Sequence, residues 1–288
     1  MTEDRQILRE KTSLIYLAKQ KIGFAMEKLD FKKKYKGLVV GILIVIIYYW
    51  AASGTDVSIV AFVKGAPFIL DFILRMFPPD IHNLTRFLSK AVETLQMAIM
   101  GSTMGALAAL PLSFLAARNI TSSGFVYHTV RSVFDICRGI NEIVWGLLFV
   151  SMVGLGPFPG VLALAVHVMG ALGRYFSEAI ETVDPESIKA ILSTGATKFQ
   201  VVIRGVFPQV KPLFINYALY YLENNFRAAT VLGLVGAGGI GMELLTSMRL
   251  FRNAEVLTIL IIMVSIVTII DRLSAYIRKG IIKVEIIE

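Results

Sequence analysis

The sequence predicts an all-α membrane protein with about six transmembrane helices, and three observations lead to that prediction. Of the 288 residues, 56% are hydrophobic and 17% are charged, and the mean hydropathy is +0.69. A soluble domain of this size has fewer apolar and more charged residues. Uncharged runs long enough to approach or cross the hydrocarbon of a bilayer recur along the chain. Basic residues collect on the segments that would share one side of the membrane.

Six spans follow from the apolar runs once the longest run is divided. The run at 143–173 is too long for a single crossing, and the stretch Gly154–Gly160 (GLGPFPG) breaks it, because glycine and proline interrupt helices. A polar segment at 183–212 separates the fourth span from the fifth. The predicted spans cover about 37–55, 88–116, 128–153, 159–180, 211–235 and 254–275.

Residues 1–36, before the first span, predict a cytoplasmic amphipathic segment. Apolar side chains recur at helical spacing from Ile7 to Leu29 among basic residues. Helices of this kind lie in the plane of the membrane surface. The rest of the chain divides into a transmembrane domain at 37–280, which includes the 183–212 segment, and a cytoplasmic tail at 281–288.

Residues 57–77 form a further apolar stretch, which Lys64, Asp71 and Arg75 interrupt. Because charges inside a span are costly, we interpret this stretch as an interfacial helix on the outer side. A seventh transmembrane helix is the alternative interpretation.

The distribution of positive charge orients the predicted spans. Lysines cluster just before the first span, at 28, 32, 33, 34 and 36, so the N-terminus is expected in the cytoplasm. An even number of spans returns the C-terminus to the same side, and the 183–212 segment also falls there. The outer loops at about 56–87 and 236–253 carry balanced charge. Membrane orientation thereby accounts for the net charge of +8, and no nucleic-acid partner is expected.

The 183–212 segment predicts two short helices around a glycine. Asp184 suits an N-cap and is followed by proline, while Gly195 suits the residue after a helix C-terminus. The spacing Thr197–Gln200 is that of a capping box, and Pro208 and Pro212 are expected to end the second helix. Such a segment offers a defined surface to a soluble partner. An ordinary loop with one amphipathic piece is the alternative.

The glycines at 236, 238, 239 and 241 form a literal G-x-G-x-x-G pattern. A dinucleotide site would need a strand before this pattern and a βαβ unit around it. Here the pattern follows a predicted span, so we interpret Gly236, Gly238, Gly239 and Gly241 as a turn at the membrane face, a gate, or a contact between two chains.

No enzymatic site is expected in this chain. The sequence contains no Walker A motif, no His/Cys cluster at metal-binding spacing and no Ser-His-Asp set on a soluble domain. We therefore predict no catalytic residue, no metal ligand and no cofactor bound by the chain itself. The single cysteine, Cys137, falls within a predicted span and is expected to pack as a small apolar residue.

The 183–212 segment resembles the EAA loop of ABC-importer permeases, whose helices dock on an ATPase subunit. Ala190, Gly195 and Pro208 match that pattern, whereas Lys189 stands where the family has a glutamate. A glutamate is found three residues earlier. The resemblance implies that coupling to the ATPase involves Glu186, Lys189, Ala190, Gly195, Ala196 and Pro208.

Four further segments resemble phosphonate-type ABC-importer permeases: 138–145 (RGINEIVW), 154–162 (GLGPFPGVL), 223–232 (ENNFRAATVL) and 230–241 (TVLGLVGAGGIG). With the loop they cover roughly 128–245. The resemblance implies a type I importer permease fold and a homodimer in the bacterial plasma membrane. It also implies two cytoplasmic ATPase subunits that bind ATP and Mg, an extracytoplasmic substrate-binding protein, and phosphonate or a related small phosphorus oxyanion as cargo. Methionine and glycine-betaine permeases share the loop but match these segments less well.

Charged residues at predicted membrane depth are compatible with that function. Such residues normally face a bundle interior or a water-filled path. Arg138 and Glu142, like Glu223 and Arg227, have the i,i+4 spacing of helical ion pairs. Either the pairs only neutralise each other and join spans, or an arginine helps an oxyanion to pass, with Asn224 as further polar lining.

Two other classes of protein remain as alternatives. An ion-driven secondary transporter is expected to contain internal repeats with broken helices, and no clear repeat is seen. A membrane scaffold without transport would not need a capped pair of helices on the cytoplasmic side. Co-purification with an ATPase separates all three classes.

Overall fold

The computed structural model describes residues 37–55 and 58–285, and every regular element in those ranges is helical. The amphipathic helix predicted between Ile7 and Leu29 lies outside the described residues. The chain divides into two compact units between Ile69 and Leu70, and each is described by itself.

The helices are numbered in chain order. The boundary between the two units falls inside α2, so the first unit contains α1 and the start of α2. The elements are α1 (Gly37–Gly54), α2 (Ile59–Leu74), α3 (Leu84–Leu115), α4 (Gly124–Gly139), α5 (Glu142–Val153), α6 (Pro157–Glu181), α7 (Pro185–Ser193), α8 (Lys198–Val201), a π-helical turn (Val202–Val206), α9 (Phe207–Gly233), α10 (Gly239–Arg249) and α11 (Asn253–Glu285).

Four helices within the described residues are long and apolar enough to cross a membrane: α1, α3, α6 and the Asn253–Arg278 part of α11. They match the first, second, fourth and sixth predicted spans. The described side chains of α1 are exposed. The predicted interfacial stretch forms α2, whose 16 residues span about 24 Å and are short for a crossing.

The third predicted span, 128–153, is wrong as a single straight helix. It consists of α4 and α5, which are bent by 88° at the break between them. Ile140 and Asn141 both have extended backbone there, and the Asn141 side chain accepts a hydrogen bond of 2.9 Å from the Ile143 N–H. Asn141 thus caps a new helix instead of continuing the old one. The pair α4–α5 counts as a fifth crossing only if the two helices are taken as one broken span.

The fifth predicted span corresponds to α9, which is long enough to cross but is not apolar enough by composition. Its sequence carries tyrosines, asparagines, Glu223 and Arg227 in its middle. Most of these polar groups are partly or fully buried because α9 packs against α3, α6, α10 and α11, and the exposed Arg227 is paired with Glu223 and Asp271.

The second unit is organised around α6, which contacts α3, α4, α5 and α9. Gly101 and Gly105, one turn apart on α3, face α6 so closely that a Cβ at Gly101 would lie 2.6 Å from the Leu164 Cβ. A GxxxG pair lets two membrane helices approach in this way. Between α6 and α9 the rings of Phe176 and Phe214 stack at 4.0 Å. The polar site residues of α6 and α9 therefore rest on a closely packed frame.

Candidate functional site

The capped helix–glycine–helix predicted for the 183–212 segment is present. The Asp184 carboxylate accepts a hydrogen bond of 3.0 Å from the Glu186 N–H at the start of α7. Gly195 follows the helix with φ +80°, a left-handed conformation that glycine adopts without steric cost. Thr197 and Gln200 form the capping box: the Thr197 N–H donates to the Gln200 Oε1 at 2.8 Å. These contacts fix the angle between α7 and α8.

The expectation that Pro208 and Pro212 end the second helix is wrong. The chain stays helical from Lys198 to Gly233 through the π-helical turn and both prolines. In that turn the Phe207 N–H bonds to the Val202 carbonyl, five residues back, so the ordinary ladder is already interrupted where Pro208 lacks its N–H. The Gln209 side chain donates to the Gly205 carbonyl at 2.7 Å and so supplies that acceptor with a partner.

The outer face of this segment is apolar and exposed. Phe199 is 72% exposed, and Leu192 and Ile203 are each nearly half exposed. Phe199 and Ile203 are four residues apart, which places them on one face of the helix. Exposed apolar patches of this kind mark sites of contact with another protein or with lipid. This patch is therefore the surface of the segment best suited to docking.

A shallow cavity of about 370 Å³ lies at the junction of α7 and α8. The predicted coupling residues Gly195 and Ala196 line it, and Glu186, Lys189 and Ala190 are exposed on α7. Its walls are Ile191, Thr194, Gly195, Ala196, Gln200 and Arg204. The inner wall is held because the Ile191 side chain packs on Gly205, where an added Cβ would come within 2.5 Å of the Ile191 Cδ1. Pro208 is exposed beyond the π-helical turn.

A second cavity, of about 390 Å³, lies between α4, α6 and α9 among the predicted spans. Arg138 lines it, as predicted for a translocation path. Two tyrosines of facing helices, Tyr175 and Tyr221, and a histidine, His167, also line it. The full lining is Asp135, Arg138, Gly139, His167, Ala171, Tyr175 and Tyr221. The cavity offers guanidinium, imidazole and phenol donors at a depth where lipid offers none.

The charges around this cavity are nearly balanced. Asp135 accepts a hydrogen bond from the Arg138 Nε at 3.0 Å, and the Arg174 guanidinium lies 3.9 Å from the same carboxylate. Glu142, another predicted path residue, lies outside the lining with its carboxylate 3.9 Å from the His167 Nε2. An arginine whose charge is partly offset attracts an anion weakly enough to release it.

The remaining predicted path residues form a separate cluster. The Arg227 guanidinium bonds to Glu223 at 3.0 Å and to Asp271 of α11 at 3.0 and 3.1 Å. Arg278 of α11 bonds to the second oxygen of Glu223 at 3.1 Å. Asn224 is half-buried beside Glu223 on α9. The cluster joins α9 to α11, and it is distinct from the lining of the Arg138 cavity.

The glycine-rich turn between α9 and α10 packs within the chain. A Cβ on Gly241 would collide with the Thr230 carbonyl oxygen, and one on Gly233 would lie 2.6 Å from the Gly238 carbonyl oxygen. Gly236, Gly238 and Gly239 have positive φ. The pattern is thus a turn with closely packed backbone, and no strand or βαβ unit surrounds it within the described residues.

Glu93 of α3 closes this turn from the side. Its carboxylate accepts a hydrogen bond of 3.0 Å from the Gly239 N–H, and the neighbouring Thr94 hydroxyl accepts one of 2.8 Å from the Ile240 N–H. Both N–H groups belong to the first turn of α10, where a negative charge is stabilised. The intramembrane carboxylate Glu93 therefore caps a helix.

Polar contacts also lie at the start of α3. Arg86 forms a two-point ion pair with Glu243, at 3.2 and 2.7 Å. In the loop before α3, the Asp80 carboxylate accepts hydrogen bonds from the backbone N–H and the ring of His82, which lowers the pKa of Asp80 below its usual value. The Arg86–Glu243 pair thus holds the start of α3 against α10, and the Asp80–His82 contacts fix the loop before α3.

Several of these residues were not predicted from the sequence. Asp271 and Arg278 belong to the α9–α11 cluster, and Arg174 and Tyr175 belong to the Arg138 cavity or its edge. Asp271 had a usable signal, since it is a carboxylate in an apolar run. Tyr175 had none, because an aromatic residue on an apolar helix is indistinguishable from packing.

Comparison with protein families places the chain in a family of transport proteins. The family described as binding-protein-dependent transport system inner membrane component matches residues 109–283, more than half of the chain. The matched residues begin within α3 and end within α11. They include the 183–212 segment, the residues that line the Arg138 cavity, and the ion-pair cluster between α9 and α11.

Individual relatives are named as phosphorus transport permeases. The chain is 38% identical to the phosphite transport system permease protein PtxC of Stutzerimonas stutzeri over 82% of this chain and 85% of that one. It is 40% identical to the putative phosphite permease HtxC of the same organism, over 74% and 76%. It is also 38% identical to the phosphate-import permease PhnE of Mycolicibacterium smegmatis, over 81% of this chain and 43% of that one.

Solved structures show the fold. A chain of the MetNI methionine ABC transporter in an inward-facing conformation superposes with a TM-score of 0.60 at 23% identity, covering 68% of this chain and 95% of that one. An amino acid ABC transporter crystallised with histidines gives 0.57 at 18% identity, covering 78% and 99%. The chain therefore has the fold of type I importer permeases.

Proposed function

Because the chain belongs to the family of binding-protein-dependent transport inner membrane components, and to its phosphonate and phosphite type, we propose that it forms the translocation path for a small phosphorus oxyanion. Two copies would pair in the plasma membrane, with a separate ATPase bound to each at the 183–212 segment. The names of the relatives support this cargo, since they are phosphite and phosphate permeases. A methionine- or glycine-betaine-type permease is the alternative, and an ion-driven transporter is a weaker one.

The observation that carries the coupling part of this proposal is the exposed patch of Leu192, Phe199 and Ile203. Its helices are capped at Asp184 and Thr197, so the patch is held ready for a partner. The helical chain then continues from Lys198 into α9. Movement of the ATPase would thereby act directly on the helix that carries Tyr221 and Arg227.

The Arg138 cavity supports the translocation part. A tetrahedral oxyanion needs several donors that replace its water, and the cavity combines a guanidinium with two phenols and an imidazole. No charge there is left as a bare, deeply buried cation, because Asp135 lies against Arg138 at 3.0 Å. Weak binding suits a path, and selectivity is then expected to reside mainly in the binding protein.

The exposure of the second cluster supports a pair of chains. In the single chain Arg227 is 47% exposed and Asp271 is 41% exposed, although both lie at membrane depth. Charged groups in such positions do not face lipid; they face another protein surface or water. We therefore place this face toward the second copy or the path between the two. Both termini and the 183–212 segment would be cytoplasmic, and the binding protein would dock outside.

Reconstitution tests the proposal. The chain is co-expressed with the ATPase and purified, and the stoichiometry of the complex is measured by native mass spectrometry. Proteoliposomes containing the complex, ATP and the matching binding protein are then given phosphite, methylphosphonate, phosphate, methionine or glycine betaine. We expect two copies of this chain per complex and ATP-dependent uptake of at least one phosphorus compound.

Other outcomes point to the alternatives. Uptake of methionine or glycine betaine alone contradicts the cargo. Uptake that requires an ion gradient and no ATPase indicates a secondary transporter. A complex with one copy of this chain and one of a different permease contradicts the homodimer while keeping the importer function.

A further inference from the structure

A strained turn displays an aromatic side chain at the edge of the second unit. Phe251, between α10 and α11, has φ +55° and is the one non-glycine residue with positive φ among the described residues. A bulky residue rarely adopts this conformation, which places the Cβ against the backbone. The Phe251 side chain is nevertheless 85% exposed. Strain of this kind persists only where the surrounding structure imposes it, and it is most often found at functional positions.

The surrounding structure imposes the turn through a buried carboxylate. Glu255, in the first turn of α11, accepts hydrogen bonds from the Ser247 hydroxyl at 2.9 Å and the Asn83 amide at 3.1 Å. Arg252 pairs with the same carboxylate at 3.3 Å, and its backbone N–H donates to the Ser247 carbonyl at 2.9 Å. Ser247 and Glu255 are themselves buried. The turn is therefore held by Ser247 of α10 on one side, by Glu255 of α11 on the other, and by Asn83, the residue before α3.

Packing within the chain does not explain the choice of residue. Leu250 and Met248 are also at least half exposed, so Phe251 is the tip of an apolar patch and not its lid. Asparagine or glycine would adopt this backbone with less strain. Arg249 is exposed beside the patch and has no ion pair among the described residues. An exposed aromatic residue within an apolar patch, next to a charged residue, is a composition typical of a protein-binding hot spot.

The position of the turn selects the partner. Glu255, which holds the turn, bonds to Asn83 just before α3, whereas Glu181, just before the 183–212 segment, bonds to the Arg118 N–H just after α3. The segment and the turn therefore lie at opposite ends of α3, a helix of 32 residues. The ATPase is assigned to the first end. The family to which the chain belongs depends on a binding protein, which must meet the other end.

We propose that Phe251 is the anchor by which the extracytoplasmic substrate-binding protein docks on this chain, with Leu250 and Met248 completing the contact. The inference rests on the proposed function. The complementary surface would be an apolar pocket with an acidic rim facing Arg249. A protein pocket gains from a side chain held in one position, whereas a fluid lipid interface does not require backbone strain.

The experiment uses the complete complex with its ATPase in lipid nanodiscs. Phe251→Gly and Phe251→Asn remove the ring while suiting positive φ. Docking of the purified binding protein is measured by biolayer interferometry, together with its stimulation of ATP hydrolysis. We expect at least tenfold weaker docking and lost stimulation, with basal hydrolysis unchanged and the Tm of the complex equal or higher. Arg249→Glu should weaken docking less at high salt than at low salt.

Phe158→Asn is the matched control, because it removes another exposed phenylalanine next to the glycine-rich turn and should leave docking unchanged. Unchanged docking in both Phe251 variants overturns the inference. A lower Tm together with weaker docking also overturns it, since that result indicates a structural role. The inference is also overturned if the Phe251 variants insert into the membrane less well than the wild type but dock the binding protein equally well in detergent. That result would indicate that Phe251 is a lipid anchor. Failure of the wild-type complex to dock any binding protein overturns the proposed function as well.

Discussion

One guanidinium nitrogen of Arg227 on α9, Nη2, lies 3.0 and 3.1 Å from the two carboxylate oxygens of Asp271 on α11, across 44 residues of sequence. The same guanidinium also bonds to Glu223, whose second oxygen accepts from Arg278. Each of the two helices thus contributes one arginine and one carboxylate to the cluster. The arginine that the sequence offered as an anion ligand is therefore already committed to two carboxylates, and its first role is to hold α11 against α9.

Arg227→Gln is expected to destabilise the chain by about 1–2 kcal/mol, between the values typical of exposed and buried ion pairs. Asp271 would lose its partner, whereas Glu223 would keep Arg278. The yield of the complex should fall together with uptake. Thermal unfolding in detergent and size-exclusion yield measure the effect.

The double variant Arg227→Gln/Asp271→Asn separates the two roles of Arg227. It removes both members of the pair, so a structural role predicts recovery of yield and of uptake. If yield recovers while uptake stays low, Arg227 contacts the anion as well.

Arg138 and Tyr221 give the opposite expectation. Arg138→Gln and Tyr221→Phe should lower uptake at least tenfold while the yield and the basal ATP hydrolysis of the complex stay near wild type, because both side chains line a cavity. Arg138→Lys should restore part of the uptake, since it keeps the charge but loses the planar donor geometry. Equal uptake by Arg138→Gln and wild type would remove this cavity from the path.

The exposed patch of the 183–212 segment can be tested without unfolding the chain. Phe199→Ser should reduce co-purification of the ATPase at least fivefold and leave the Tm within about 1 °C, because surface substitutions change stability little. Phe125→Ser is the control, since Phe125 is 82% exposed at the start of α4 and lies outside the segment. Loss of the ATPase from both variants would indicate a general effect of the substitution.

Gly195→Arg should also uncouple the transporter. The left-handed backbone at φ +80° disfavours any side chain, and arginine would project into the shallow cavity at the α7–α8 junction. Insertion and dimerisation should persist while transport-linked ATP hydrolysis is lost. Uptake at the wild-type rate with matched expression would contradict a coupling role for the segment.

Gly241→Ala tests the packing of the glycine-rich turn. The added methyl group meets the Thr230 carbonyl oxygen, so α10 must shift away from α9 at a cost of about 1–3 kcal/mol. Gly124→Ala is the matched control, because a Cβ there meets no atom within 4 Å. Thermal unfolding of the two variants should differ clearly. An equal Tm would show that the turn is not closely packed in the membrane.

Labelling with an impermeant thiol reagent tests the orientation, after Cys137 is replaced by alanine. Cysteine at Thr194 should be protected in intact cells and cysteine at Leu250 should be labelled, since both side chains are exposed in the fold. Gly239, an obvious outer position from sequence, is buried and is unsuited to this test. Labelling of position 194 from outside would reverse the orientation and contradict the ATPase site.

The capped 183–212 segment was predictable because its signals are local. Asp184, Gly195 and Thr197 each determine backbone geometry within a few residues, and the structure has all three as expected. The break between α4 and α5 was missed because the predicted span was drawn through the polar stretch 138–142 (RGINE), where Gly139 and Asn141 are local signals of a helix end and a helix start. Asn141 is a good N-cap in any context, but hydropathy alone continues the helix through it.

Contacts between distant parts of the chain could not be predicted. Arg227 was paired with Glu223 from i,i+4 spacing, whereas its contact with Asp271 depends on how α9 and α11 are placed side by side. From the sequence, Glu93 is only a charged residue within the second predicted span. Its role as the cap of α10 depends on a backbone N–H 146 residues away.

The π-helical turn at Val202–Val206 has a consequence for the evolution of this transporter. Such a turn holds one residue more than an α-helical turn, so the part of the helix before it is rotated by about 100° relative to an uninterrupted helix. Deleting a single residue there would straighten the helix without breaking it. Phe199, which precedes the turn, would then face a different direction relative to α9. The presence of this one residue therefore sets the direction in which the start of the helix, with Phe199, faces relative to α9.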